Sequence, residues 1–134
     1  MNLLLVVACA LLDRDGRVLL ARRPAGKPMA GLWEFPGGKV ESGETPEAAL
    51  VRELCEELSI DPCQSCLQPF AFSSHSYPDF HLLMPFYICR QWDGIVHPTE
   101  GQVIKWVNPD IVHTFDMAPA DVFLATELRD RLRR

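Results

Sequence analysis

Between residues 37 and 60 the chain reads GGKVESGETPEAALVRELCEELSI, a glycine pair followed by Glu44, Glu47, Glu53, Glu56 and Glu57. Carboxylates at such density can act as general bases, pair with cationic side chains, or ligate a hard divalent cation. On a helix advancing roughly 100° per residue, Glu56 lies about 60° to one side of Glu53 and Glu57 about 40° to the other, so the three share one face. Like charges at that spacing repel. The face therefore needs either open solvent or a compensating cation. Mg2+ suits it, because it takes carboxylate oxygens and keeps several waters. Gly37 and Gly38 permit close backbone approaches, so a turn there can bring a peptide carbonyl or Glu44 over the helix. A solvated helix face, with Arg52 offsetting part of the repulsion, is the other reading of the same residues.

The elements that must position these groups are readable from local signals. Thr45 is a helix N-cap and Pro46 a first helical residue, which predicts a helix from about 46 to 58, closed by Asp61-Pro62. Val51, Leu54, Cys55 and Leu58 lie opposite the acids and predict its core stripe. Residues 3 to 12 and 17 to 22 read as two strands joined by a tight DRDG turn. PAGKPMAG is a loop, and 32 to 35 a short hydrophobic approach to the glycines. Residues 67 to 72 predict a strand, SSHSYPD a loop, 81 to 89 a strong strand, WDG a turn and 103 to 107 another strand. Pro119 opens a final helix to about 131 whose apolar run is Val122, Phe123, Ala125 and Leu128. Strands on both sides of a central helix, with a second helix at the end, predict an α+β fold with a mixed sheet between helices.

The whole composition narrows the function. A chain of 134 residues with 48% hydrophobic content is long enough for one domain, 1–134, with a real core. The net charge of −5, with no long basic run before the terminal RDRLRR, disfavours a nucleic-acid polymer as partner. A small anionic ligand held through metal remains compatible. The apolar start MNLLLVVACALL is short and lacks a basic leader, so it reads as a buried strand, and the expectation is a soluble cytoplasmic protein without a membrane partner. Five cysteines, an odd number, argue against a disulfide scaffold. Cys63 and Cys66, in CQSC, read as incidental thiols, with half a zinc site or a redox pair as the alternatives.

The 37–60 segment resembles the signature of the Nudix hydrolase family, with Gly38, Glu44, Arg52-Glu53-Leu54, Glu56-Glu57 and Ile60 at its marked positions. Ser59 departs from the pattern, which has Gly there. The resemblance implies the Nudix fold, an α/β/α sandwich, and hydrolysis of a nucleoside diphosphate linked to another group. It implies that Glu53, Glu56 and Glu57 bind Mg2+, or Mn2+ as a substitute, with a backbone ligand at Gly38. It further implies that Arg52 orients a carboxylate, that Glu44 supports that arrangement, and that Glu53 is the favoured base.

Outside that segment, LARRPAGKPMAGLWEFPGGK, YPDFHLLMPFYIC, PTEGQ and APAD are similar to the MutT-type subgroup, which hydrolyses 8-oxo-dGTP to the monophosphate and pyrophosphate. That likeness implies nucleotide contacts at Arg23, Phe35, Lys39, Tyr77 and Asp121, and a further metal-binding acid at Glu100. Asp121 stands where the mutator enzymes have Asn, and an ionised Asp accepts hydrogen bonds but cannot donate. It does not choose between oxidised purines and pyrimidines, so hydrolysis of CTP stays open. Phe80 before His81 replaces a basic residue. Tyr77 also stands near a marker of dinucleoside-polyphosphate hydrolases. A non-catalytic recognition domain would have lost the glutamates this chain keeps. Trp33 reads as a core residue or a base-stacking surface, and His75 and His81 as ordinary loop and strand residues. The expected state is a monomer or weak dimer.

Overall fold

The computed structural model describes residues 1–132; Arg133 and Arg134, at the end of the basic RDRLRR run, lie outside the described residues. Seven strands and two helices follow in the order β1 (Leu3–Leu11), β2 (Val18–Arg22), β3 (Trp33–Glu34), β4 (Gly37–Lys39), α1 (Pro46–Leu58), β5 (Gln68–Ser76), β6 (His81–Cys89), β7 (Val103–Val107) and α2 (Pro119–Arg131). They form a four-stranded sheet ordered β4-β1-β6-β5 and a three-stranded sheet ordered β3-β2-β7. The larger sheet is mixed: β1 runs parallel to β6 and antiparallel to β4. This is the expected α+β architecture with helices on both faces.

β1 explains why the apolar start has no polar alternation. Val7, Cys9 and Leu11 face α1, packing with Ala49, Leu50, Leu54 and Leu58. Ala8, Ala10 and Leu12 face α2, packing with Leu124, Ala125 and Leu128. A strand covered on both faces reads as a continuous hydrophobic run. The DRDG turn does not join a regular hairpin, however. β1 and β2 touch through one bridge, Leu12 to Val18, and then part into different sheets.

Three expectations are corrected. The loop predicted over SSHS is strand, because β5 continues to Ser76. There Ser74 and Ser76 hydroxyls bond the two ring nitrogens of His81 at 2.6 and 2.7 Å, so polar side chains bind across the strand pair. Cys55 is exposed rather than core. The buried stripe of α1 is centred on Leu54 and takes in Ala49 and Leu50, which leaves Cys55 past its far edge. On α2, Val122 and Phe123 are exposed, and the buried face is Ala120, Leu124, Ala125 and Leu128.

Helix α1 carries its own start and stop signals. Thr45 accepts a hydrogen bond from the Ala48 N–H at 3.1 Å. At the other end Ser59 adopts φ 58° and ψ 32°, the left-handed conformation in which glycine is favoured. A non-glycine residue there costs about 1 kcal/mol. Ser59→Gly should therefore raise the unfolding free energy by about 1 kcal/mol, read as a higher denaturant midpoint with unchanged slope.

Candidate functional site

Arg52 is the hub of the acidic helix. Its Nε and Nη2 donate to the two carboxylate oxygens of Glu44 at 2.8 and 3.0 Å, a forked pair. Its Nη1 donates to Glu53 Oε1 at 2.9 Å, and Nη2 also reaches the Lys39 carbonyl at 3.1 Å. The guanidinium holds Glu44 down to about 2, helped by the Glu41 N–H. Glu53 is thus fixed by a cation that is itself fixed by Glu44 and by the end of β4.

Gly38 fixes Glu53 from the other side. A Cβ on Gly38 would lie 2.4 Å from Glu53 Cδ and 2.5 and 2.6 Å from its two oxygens. The space a side chain would take is filled by the Glu53 carboxylate. Helical geometry then distributes the remaining acids. Glu57, about 40° toward Leu54, is half-buried, whereas Glu56, on the other side, is 61% exposed and only 3.5 Å from Arg52 Nη1. Burial first, and the charge of Glu53 next, push Glu57 up to about 9.

A cleft of about 190 Å3 opens beside this face, lined among others by Arg23, Lys27, Glu34, Glu57, Glu100 and Gln102. A larger cleft of about 330 Å3, around Asp15, Arg17, Arg90 and Asn108, contains none of the signature residues. Arg23 donates to Glu34 at 3.1 Å and to the Pro28 carbonyl at 2.7 Å. Glu100 lies 3.7 Å from Lys27 Nζ. The Glu100 loop hangs on α1: Thr99 Oγ1 donates to the Glu56 and Glu57 carbonyls at 2.6 and 3.0 Å, and Gln102 Nε2 to that of Glu57 at 3.1 Å.

The expected nucleotide contacts divide. Arg23 lines the cleft, and Lys39 is exposed at the end of β4. Tyr77 stacks on Phe80 with centroids 5.1 Å apart, and its hydroxyl accepts from the Ala120 N–H, one residue before Asp121. Asp121, half-buried in the first turn of α2, is pushed up to about 7 by burial and then by the charge of Glu34. Phe35 is the correction. It is 4% exposed and packs edge-on against Phe86 at 4.8 Å, so it supports the site from the core and offers no ring to a ligand. Trp33 is partly buried against Phe115, with Arg22 over its ring. His75 packs edge-on against Tyr77. Glu34, Lys27 and Gln102 carry no signal within their own segments; only folding brings them to the cleft.

Asp121 gives a pH prediction with a definite sign. Its folded value lies above the unfolded 3.8, so the folded state favours the proton, and stability contributed below the unfolded value is lost as pH rises toward 7. Between pH 4 and 7, the melting temperature of the wild type should fall relative to that of Asp121→Asn, which has no proton to lose. Parallel curves would contradict a desolvated carboxyl.

The donor set fits a hard cation on three counts. It is all oxygen, Glu57 is desolvated beside Glu53, and the absent Cβ of Gly38 leaves backbone against the carboxylate. Among the described residues no three acidic, histidine or cysteine side chains converge as a finished ligand set.

The NUDIX domain model matches residues 2–126. The chain belongs to the NUDIX family. Nudix hydrolases generally use divalent metal ions, and the oxygen donors on α1 are of that kind. The chain is 43% identical to an 8-oxo-dGTP diphosphatase of Proteus vulgaris, over 72% of this chain and 84% of the relative. It is 39% identical to a CTP pyrophosphohydrolase of Escherichia coli K12, over 87% and 84%. In structure it is similar to MutT, from work on the enzymes of Aliivibrio salmonicida and Vibrio cholerae, with a TM-score of 0.82, 30% identity and coverage of 97% and 99%. No helix among the described residues is long and apolar enough to cross a membrane.

Proposed function

We propose that this Nudix hydrolase cleaves 8-oxo-dGTP, and other nucleoside triphosphates less well, to the monophosphate and pyrophosphate. It would act as a single cytoplasmic domain, monomeric or weakly dimeric, that clears oxidised nucleotides before replication. The observation that carries the hydrolytic reading is Glu53 clamped between Arg52 and the bare backbone of Gly38, beside a cleft holding Glu57 and Glu100. Glu53, Glu57, Glu100 and the Gly38 backbone would hold Mg2+, with Mn2+ as a substitute, and Glu56 would join them by leaving Arg52. The cation would neutralise phosphate charge and acidify water. Water attacks the β-phosphorus in this reading, and Glu53 takes its proton while Arg52 keeps that carboxylate in position. Arg23 exchanges Glu34 for the nucleotide, Lys39 meets phosphate charge, and Tyr77 and Asp121 line the base.

Asp121 is compatible with a purine of altered edge, without excluding a pyrimidine. Near neutrality it still holds a proton in part of the population, and a protonated carboxyl both donates and accepts. That removes the disadvantage of Asp relative to Asn. The identity to a CTP pyrophosphohydrolase keeps cytosine nucleotides as the second reading. The test is kcat/KM with Mg2+ for 8-oxo-dGTP, dGTP, CTP, dCTP and a dinucleoside tetraphosphate, with products resolved as pyrophosphate or phosphate. The expected result is a strong preference for 8-oxo-dGTP over dGTP with pyrophosphate released. A preference for CTP would overturn the substrate and leave the hydrolytic centre standing.

A further inference from the structure

Away from the acidic face, a tight helical turn over Gln64–Cys66 links α1 to β5 and begins at Cys63. The Cys66 N–H donates to the Cys63 carbonyl at 2.9 Å, which closes a turn of i to i+3 type. In such a turn the end Cα atoms approach within about 7 Å, and disulfide-linked Cα atoms lie about 4.4 to 6.8 Å apart. The backbone therefore holds the two Cα atoms at a separation that a disulfide can span. Cys63 is exposed and Cys66 half-buried. Cys66 lines an open cleft of about 310 Å3 with Ser65, Gln68, Arg90 and Gln91. Arg90 borders this cleft as well as the one around Asp15 and Arg17, and no ion pair among the described residues involves it.

We propose that Cys63 and Cys66 are a reversible dithiol couple that exchanges with small anionic disulfides. Cys63 is the attacking thiol. Its Sγ lies 2.9 Å from the Ser65 hydroxyl, and hydrogen bonds from Ser65 first and Cys66 next lower it below the usual thiol range, while the bond to Cys63, first, and burial, next, raise Cys66. The Cys63 thiolate attacks one sulfur of the disulfide, forming a mixed disulfide and expelling one thiolate. Cys66 then loses its proton, attacks Cys63 Sγ and expels the second. The pair is oxidised by two electrons, the small disulfide is reduced to two thiols, and the two cysteine protons end on those thiols. Arg90 holds the carboxylates of the incoming molecule. The remaining cysteines fit no such role: Cys9 and Cys89 are buried, and Cys55 sits alone on the exposed face of α1.

The test uses the whole chain in a Cys55→Ser background, exposed to oxidised glutathione or to cystamine, a cationic disulfide, with intact mass read after acid quench. The expected product is loss of two hydrogens, reversed by reduced glutathione. Cys66→Ser should instead trap one glutathione on Cys63, and Arg90→Gln should slow oxidised glutathione at least severalfold without slowing cystamine. An intact mass that does not change, or a trapped adduct on Cys66 in Cys63→Ser formed as fast as that on Cys63, would overturn the couple. Equal rates for the two disulfides in the parent would overturn the role of Arg90 and with it the anionic preference.

Discussion

Glu53→Gln should lower kcat about a thousandfold while leaving the fold intact, because a positioned base contributes on the order of 10^2 to 10^4 in rate. The substitution exchanges one oxygen for an NH2 group of the same size. Glu53 Oε1 accepts from Arg52 at 2.9 Å, and the amide oxygen of Gln can keep that bond. What it cannot do is take a proton or carry negative charge toward a cation. The loss should fall on kcat, with thermal unfolding and circular dichroism unchanged, and it should persist at every pH where the wild type is active. A variant retaining more than a tenth of wild-type kcat would remove Glu53 from the chemistry. The activity would then have to be sought among Glu56, Glu57 and Glu100.

Gly38→Ala should separate chemistry from folding in a second way. The new methyl group would sit 2.4 Å from Glu53 Cδ, so the carboxylate must move. That carboxylate is the far end of a flexible side chain, and its displacement costs the fold little. Displacement of a reacting group by about an ångström costs roughly a hundredfold in rate. Activity should therefore fall by that order with a nearly normal unfolding midpoint. Gly37→Ala is the contrast. Its Cβ would lie 2.0 Å from the Val7 carbonyl oxygen and 2.7 Å from Ala8 Cα, atoms of the central strand that cannot swing aside. That variant should lose on the order of 3 kcal/mol of stability. If both variants unfold alike, the space at Gly38 is structural and not reserved for Glu53.

The two glycines look equivalent in the sequence, and nothing in GGK distinguishes the one that meets backbone from the one that meets a carboxylate. β4 was equally invisible, since it holds its place by pairing Gly37–Lys39 with Val6–Ala8 rather than through a side-chain pattern. Where the signals are local, the sequence suffices. Thr45 and Pro46 opened α1 at the observed residue, and Pro119 opened α2. The runs His81–Cys89 and Val103–Val107 are the observed strands. Where the deciding partner is distant, local pattern misleads. Cys55 belongs to the helix wheel of the core only if the sheet approaches from its side, and it approaches from that of Leu50 and Leu54. The gathering of Glu53, Glu56 and Glu57 on one helix needed only helical spacing. The unequal fates of Glu56 and Glu57, one in solvent and one desolvated, depend on where β1 and the 97–102 loop lie.

The last turn of α1 takes its hydrogen-bond partners from a stretch some 42 residues further on: His97 N–H bonds the Leu58 carbonyl at 2.9 Å, and Thr99 N–H that of Glu57 at 3.0 Å. Fraying of that turn and detachment of the Glu100 loop are therefore one local opening event rather than two. Amide hydrogens of His97 and Thr99 should exchange at a common rate with those of the helix end. Any ligand that restrains Glu57 should slow exchange on both segments together, so the two arms of the cleft order and loosen as a single hinged unit.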